Sequence, residues 1–408
     1  MTSAGSTPHT EPATEALASP VQRFTILESW RAILAWWVVL SHAIAMLRLK
    51  PEHITEMRDS VTLMGFDLLA WLQILGYDIL FLARSGKIPV YVFMMMSGFV
   101  IMHLLTLKKE PYGIYLMRRF LRLWPALMFV LVLYAAAYVV GRPLGYSTDF
   151  WGHFALEATM FHGLVPDEIF KKASSAISGP GWSISLEWQF YIVAPFILTA
   201  FVKGGWRGWL LFVCLYAAYF FGMVGTRSAS VFGETYTWEH PSALPHIFGF
   251  FALGMGTYFL FKKVREAEVQ PSMPLIGLLA ACYATIGFVG PEELTPPILI
   301  WLAVFVTLIT SGTWLHSLLN WPVLRWLGDI SYSTYITHML AIPVAHRIAQ
   351  KLGFADGSLQ IFLVMMVFAI PMILTLSVIS FYFIEKPAIQ FGRTQAKRLM
   401  TKPLMETS

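Results

Sequence analysis

Ten runs of mostly apolar residues recur along this chain, at 30–47, 88–106, 121–140, 186–202, 206–224, 243–261, 274–290, 296–314, 331–349 and 360–384. Each has the length a helix needs to cross a bilayer's hydrocarbon, about 30 Å at about 1.5 Å per residue. In lipid every backbone N–H and C=O must be satisfied within the segment, so such runs fold as helices. Two further apolar stretches read differently. The stretch 63–83 carries Asp67 and Asp78 and suits a re-entrant or surface helix, as does Phe150 to Phe161.

Composition removes the other classes. Hydrophobic residues make up 57% of the 408 and charged residues 13%, against ordinary shares of about 45–50% and about 25%. With a mean hydropathy of +0.62, the chain has too little polar surface to be a water-soluble globule. Its two cysteines, Cys214 and Cys282, both lie in apolar stretches and allow neither a disulfide framework nor a CxxC metal site. The expectation is all-α: a polytopic membrane helix bundle with about ten transmembrane helices. Residues 1–22 read as a disordered cytoplasmic tail, 23–390 as one integral membrane domain and 391–408 as a short cytoplasmic tail. No metal site is expected.

The formal charge of +5 would hint at nucleic acid in a soluble protein. In a membrane protein a basic excess marks cytoplasmic loops, so no nucleic-acid partner is expected. With the N-terminus inside, the inner segments hold 17 Lys and Arg and the outer segments 11. Both termini are therefore expected in the cytoplasm.

Ionisable groups inside such runs cost a few kcal/mol each and are candidate functional residues. Arg31 and His42 are 11 residues apart, about 1100° of helical rotation, so both leave one face about 16 Å apart along the axis. Snorkelling for Arg31 and helix packing for His42 also fit that spacing. Arg118, Arg119 and Arg122 form a basic cluster before Trp124 and Pro125. Guanidinium forks suit phosphate oxygens, although arginines at an inner helix end also serve as topology signal. Glu187 follows a Gly179-Pro180-Gly181 break at the start of an aromatic span rich in Trp182, Trp188 and Tyr191; an interfacial belt needs no carboxylate. Ser331, Tyr335 and His338, at i, i+4 and i+7, make a polar stripe that suits a site or helix-packing hydrogen bonds. For Glu385, Lys386 and Pro387, the cation-favouring end of a final helix is sufficient explanation.

In order, these elements resemble the membrane acyltransferase family 3, polytopic inner-membrane O-acyltransferases that decorate polysaccharides, lipopolysaccharide and some small molecules. Glu28, Arg31, Ala35, Val39 and His42 are similar to its first-helix signature, in which ten residues separate Arg from His. Phe93, Ser97, Gly98 and Phe99 are similar to its second-helix element, and Arg118 to Pro125 to its Arg-Arg-x-x-Arg-x-x-Pro element. Trp182, Ser183, Leu186, Glu187, Phe190 and Tyr191 match a further pattern. Gly328, Ser331, Tyr332, Ser333, Tyr335 and His338 match the late helix, and Tyr382, Ile384, Glu385, Lys386 and Pro387 the closing one. The chain departs from the family in reading Glu28-Ser29-Trp30-Arg31 where Asp-Gly-Leu-Arg is frequent, and in placing Ser41 where Tyr commonly precedes the His.

The resemblance implies transfer of an acyl group, with acetyl the expected one, from acyl-CoA to a hydroxyl of a carbohydrate, glycolipid or small molecule. Acyl-CoA is then a substrate and no cofactor is held tightly. His42 is the expected general base, with Arg31 and Glu187 as its catalytic companions and Glu187 orienting the imidazole. Arg118, Arg119, Arg122, Ser331, Tyr335 and His338 are expected to bind the donor. The cell inner membrane is the expected location, without the extracytoplasmic esterase-like domain that some relatives carry. A multi-span transporter or flippase is the competing class, since intramembrane charges and a Gly-Pro-Gly break suit one.

Overall fold

The computed structural model describes residues 20–46, 83–107, 110–141, 149–175, 177–203, 205–224, 228–231, 234–238, 240–266, 295–310, 313–354, 356 and 359–401. The expected span 274–290 and the stretch 63–83 lie outside the described residues, apart from the last residue of the latter. Among the described residues, the chain folds as helices with one antiparallel hairpin between strands β1, Ser228–Val231, and β2, Glu234–Thr237.

The longer helices are α1, Pro20–Met46; α2, Lys87–Leu107; α3, Tyr112–Val139; α5, Gly181–Lys203; α6, Trp206–Val224; α7, Leu244–Glu266; α8, Thr295–Ile309; α11, Ser331–Lys351; and α12, Leu359–Ser380. Helices thus stand at nine of the ten expected spans. Among the described residues, five stretches are long and apolar enough to cross a membrane: Thr25–Met46, Lys87–Leu107, Tyr112–Val139, Leu244–Glu266 and Gln360–Thr401. Helix α4, Phe150–Ala158, has nine residues, about 13 Å of axis, which is too short to span. Two more short helices, α9 at Trp314–Leu319 and α10 at Pro322–Asp329, lead into α11.

Packing centres on α1 and α2. Helix α2 lies against α1, α5, α7 and α8, while α1 also contacts α10 and α11. With no hydrophobic drive between helices in lipid, close packing needs small residues at the crossings. Helices α2 and α7 cross on two glycines: a Cβ on Gly98 would overlap the Phe251 carbonyl, and one on Gly254 would overlap the Met95 carbonyl. This close approach accounts physically for Gly98 in the second-helix motif.

Two helices extend past the ends expected for the membrane domain. Helix α1 already begins at Pro20 rather than after residue 22. At the other end the chain does not leave the bundle at 390. After α12 it makes a π-helical turn, Phe381–Glu385, and continues as α13, Lys386–Thr401, packed against α3. The Lys386 N–H reaches back five residues to the Phe381 carbonyl. A π turn sets the residues before Pro387 in a wider coil, so the missing proline N–H does not break the helix. It also buries Glu385 completely, where a helix terminus would have left that carboxylate in solvent.

Candidate active site

Six helices enclose a chamber of about 620 Å³. Helix α1 contributes Leu27, Glu28 and Arg31; α3 contributes Arg118, Arg119 and Arg122; α5 contributes Ser183, Glu187 and Tyr191. Helix α11 adds Ser331, Tyr332 and Tyr335, and α13 adds Ile389 and Arg393, while Phe93, Met94 and Val100 of α2 supply part of the apolar wall and Ser97 a hydroxyl. Five guanidiniums face two carboxylates there, so the chamber is a basic site suited to an anion.

The arginines are held apart by different partners. Arg118 Nη1 donates to Glu110 at 2.7 Å, and Arg122 pairs with the buried Glu385 at 3.7 Å. Arg119 lies over the rings of Tyr115 and Tyr191, 6.0 and 5.7 Å from their centroids, which orients a cation without neutralising it. Arg31 feels the negative charge of Glu187 and Glu385 against the like charge of Arg122. Ser333 Oγ donates to Glu385 at 2.8 Å and fixes that carboxylate from α11. Three buried polar atoms of chamber-lining residues, Ser97 Oγ, Arg119 Nε and Ser331 Oγ, have no partner among the described residues. Unsatisfied buried donors are costly, and a polar ligand would relieve that cost.

At the opposite end, Tyr335 and Phe93 sit edge to face with ring centroids 6.2 Å apart. The Tyr335 hydroxyl is 2.7 Å from Ser183 Oγ and donates to the Pro180 carbonyl, so the Gly-Pro-Gly break positions this tyrosine. Beyond it lies a pair of histidines. His338 Nδ1 is 2.6 Å from the Tyr335 carbonyl, and its Nε2 is 3.2 Å from His42 Nδ1, which is also 2.9 Å from the Val38 carbonyl. Carbonyl oxygens only accept, so Nδ1 carries the proton in both rings. His338 Nε2 then accepts from His42, and His42 Nε2 keeps a free lone pair. His338 is fully buried and His42 partly exposed.

Arg31, Glu187, Arg118, Arg119, Arg122, Ser331 and Tyr335 all line the chamber, whereas His42 and His338 do not, the His338 ring lying 6.0 Å from that of Tyr335. Glu187 accepts a hydrogen bond from Tyr191, not from His42. The group against the His42 imidazole is His338, which the sequence stripe had grouped with the donor site. Sequence reasoning passed over Tyr191 as a partner, and Phe93 and Arg393 as wall residues. Pro387 pointed to a helix end and hid the continuation that brings Arg393 to the chamber.

The helices and the chamber define an integral membrane protein built around a basic pocket, with an imidazole pair outside its lining. The chain belongs to the acyltransferase 3 family, whose family model, described as an acyltransferase domain, matches residues 24–382. A Staphylococcus aureus (strain COL) protein named "Putative O-acetyltransferase" is 23% identical over 385 residues, 87% of this chain and 61% of its own length. A namesake from strain MRSA252 is 23% identical over 369 residues, 83% of this chain and 59% of its own length. The chain therefore spans about three fifths of the length of these curated relatives. No solved structure matches it significantly.

Proposed function

We propose that this chain is an integral membrane O-acyltransferase that moves an acyl group, acetyl as in the relatives' names, from acyl-CoA to a hydroxyl of a carbohydrate, glycolipid or small molecule. The observation that carries the reading is the polarity of the chamber. Five arginines stand towards one end and a neutral histidine pair lies beyond the other, with Arg31 and His42 about 16 Å apart along one helix. A coenzyme A thioester has the same polarity, with phosphates at one end, the reacting carbonyl at the other and an extended arm between. On this reading the arginine end opens to the cytoplasm of an inner membrane and the acceptor approaches from the histidine side. The positive-inside charge distribution supports that orientation.

The chemistry assigned to these residues is direct transfer. His42 Nε2 takes the proton of the acceptor hydroxyl as its oxygen attacks the thioester carbonyl. The tetrahedral intermediate then expels the coenzyme's sulfur, which receives that proton from the imidazolium, leaving an ester and free coenzyme A. His338 keeps the proton of His42 on Nδ1 and accepts part of the positive charge that develops. Arg31 and the three arginines of α3 hold phosphate oxygens, and Glu187, fixed by Tyr191, sets the charge balance around Arg31. For the thioester to meet His42, the rings of Phe93 and Tyr335 must part.

Membrane vesicles given acetyl-coenzyme A labelled on the acetyl carbon test the reading. An acyltransferase releases free coenzyme A in step with labelled acceptor, and the His42→Ala variant at the same membrane level does neither. Movement of label across the vesicle wall without release of coenzyme A would make the protein a transporter and overturn the proposal.

A further inference from the structure

Arg393 is the one chamber arginine outside the motifs that the resemblance carries. It is reached because the chain continues through the π turn into α13: Glu385, Ile389 and Arg393 follow at four-residue spacing along one side of the helix, drifting about 40° per step. Glu385 pairs with Arg122, and Ile389 and Arg393 line the chamber. The contact that holds α13 in place is Gly392, where a Cβ would come within 3.0 Å of Leu121 Cδ1 and 3.9 Å of Arg118 Cα. Helix α13 therefore rests on α3 at the level of Arg118, about 10 Å along its own axis from Glu385. Arg393 is exposed and has no carboxylate partner among the described residues. The other cations of α13, Lys386, Lys397 and Arg398, do not line the chamber. A merely solvated surface arginine would have no reason to share the wall with Arg118, Arg119 and Arg122.

We propose that Arg393 is a phosphate-binding residue at the mouth of the chamber and that, granted the acyl-CoA reading above, it takes the ribose 3′-phosphate of the donor. The order of groups gives the assignment. Arg122 lies one turn deeper than Arg118, about 6 Å, and the histidines lie beyond the chamber's far end. A donor with its thioester towards His42 leaves the pyrophosphate beside Arg119 and Arg122 and the nucleotide phosphate at the mouth. A planar guanidinium with no carboxylate to compete for it suits a phosphate monoester through two parallel hydrogen bonds. The headgroup of an anionic lipid offers similar phosphate chemistry at the same height, and the experiment separates the two.

The full chain is placed in nanodiscs of phosphatidylcholine alone, and binding of coenzyme A is compared with that of dephospho-coenzyme A, which lacks the 3′-phosphate. Arg393→Ala is expected to lose about tenfold in affinity for coenzyme A and less than about twofold for the dephospho form, with Arg393→Lys in between. The same losses are expected in nanodiscs containing phosphatidylglycerol. Equal affinity of wild type and Arg393→Ala for coenzyme A overturns the proposal, as does an equal loss for both ligands. A loss seen only with phosphatidylglycerol makes the residue a lipid contact and overturns it as well. If wild type binds neither ligand, the acyl-CoA reading itself fails and this inference falls with it.

Discussion

The two ends of the chamber solve opposite electrostatic problems. At the arginine end, like charges are crowded together and kept apart by separate anchors: Glu110 for Arg118, Glu385 for Arg122, and two tyrosine rings for Arg119. Beyond the other end, two imidazoles share hydrogen bonds with each other and with carbonyls, and no carboxylate pairs with either ring among the described residues. The first arrangement favours a ligand that brings negative charge. The second keeps a neutral base neutral, with its tautomer fixed. A carboxylate beside His42 would favour the imidazolium, which has no lone pair left to take a proton from a hydroxyl. On the proposed reading, the difference teaches that binding and proton transfer draw on helix sets that share only α1. Arginines on α1, α3 and α13 grip, while α1 and α11 supply the histidines.

That division can be broken by substitution, and the largest effect is expected at the base. His42→Ala should lower acyl transfer by 10²- to 10⁴-fold in membranes with unchanged protein level, while equilibrium binding of coenzyme A stays as in wild type. A retained rate would remove the imidazole from the chemistry. His338→Ala should lower kcat by about 10²-fold and leave the donor's KM unchanged. In His338→Gln the amide oxygen can still accept from His42 Nδ1, and part of the rate should return. A rise in KM with constant kcat would instead return His338 to the donor site.

Smaller effects sharpen the arginine end. Arg122→Ala should weaken coenzyme A binding by about tenfold and flatten its dependence on salt. It also strands Glu385 without a cation, and losing one partner of a buried pair costs about 3–5 kcal/mol. Adding Glu385→Gln should recover thermal stability without recovering donor affinity; recovery of both would mean that Arg122 acts only on the fold. The smallest effect lies outside the chamber. Burial, with help from the charge of His153 and opposed by the Gly181 backbone, lowers the His162 pKa from 6.5 to about 4. The folded loop thus binds fewer protons than the unfolded one. Its stabilisation is complete above pH 6.5 and is lost as pH falls through about 4. Glu157, pushed up by burial, acts in the opposite sense, so the comparison is with His162→Phe. Amide exchange across residues 162–181, corrected for its intrinsic rate, should rise between pH 7 and 5 in wild type and less in the variant.

Much of this was legible in the chain itself. The apolar runs fall on helices because lipid leaves a spanning backbone no other choice. Arg31 and His42 share a helix, so their spacing could be computed from 3.6 residues per turn, and Arg118, Arg119 and Arg122 were readable for the same reason. His338 was visible as a polar residue in a span, yet its partner lies 296 residues away, a separation that no periodicity encodes. Glu187 was readable as an intramembrane carboxylate, but whether it met His42 or Tyr191 depended on how α1 and α5 are rotated against each other. Pro387 misled because its local rule is right: proline does end an ordinary helix. It cannot report a π turn placed just before it.

The sequence by itself determined the helices, the residues that lie along each face and the charges buried in apolar surroundings, because these follow from short-range geometry and from the cost of dehydrating polar groups. Only the tertiary structure decided which faces meet. Helix packing set the His42–His338 pair, the place of those rings outside the chamber lining, and the return of Arg393 to its mouth. Those contacts depend on close approaches at single glycines and on one extra residue in a turn, small differences in energy that the local sequence does not carry.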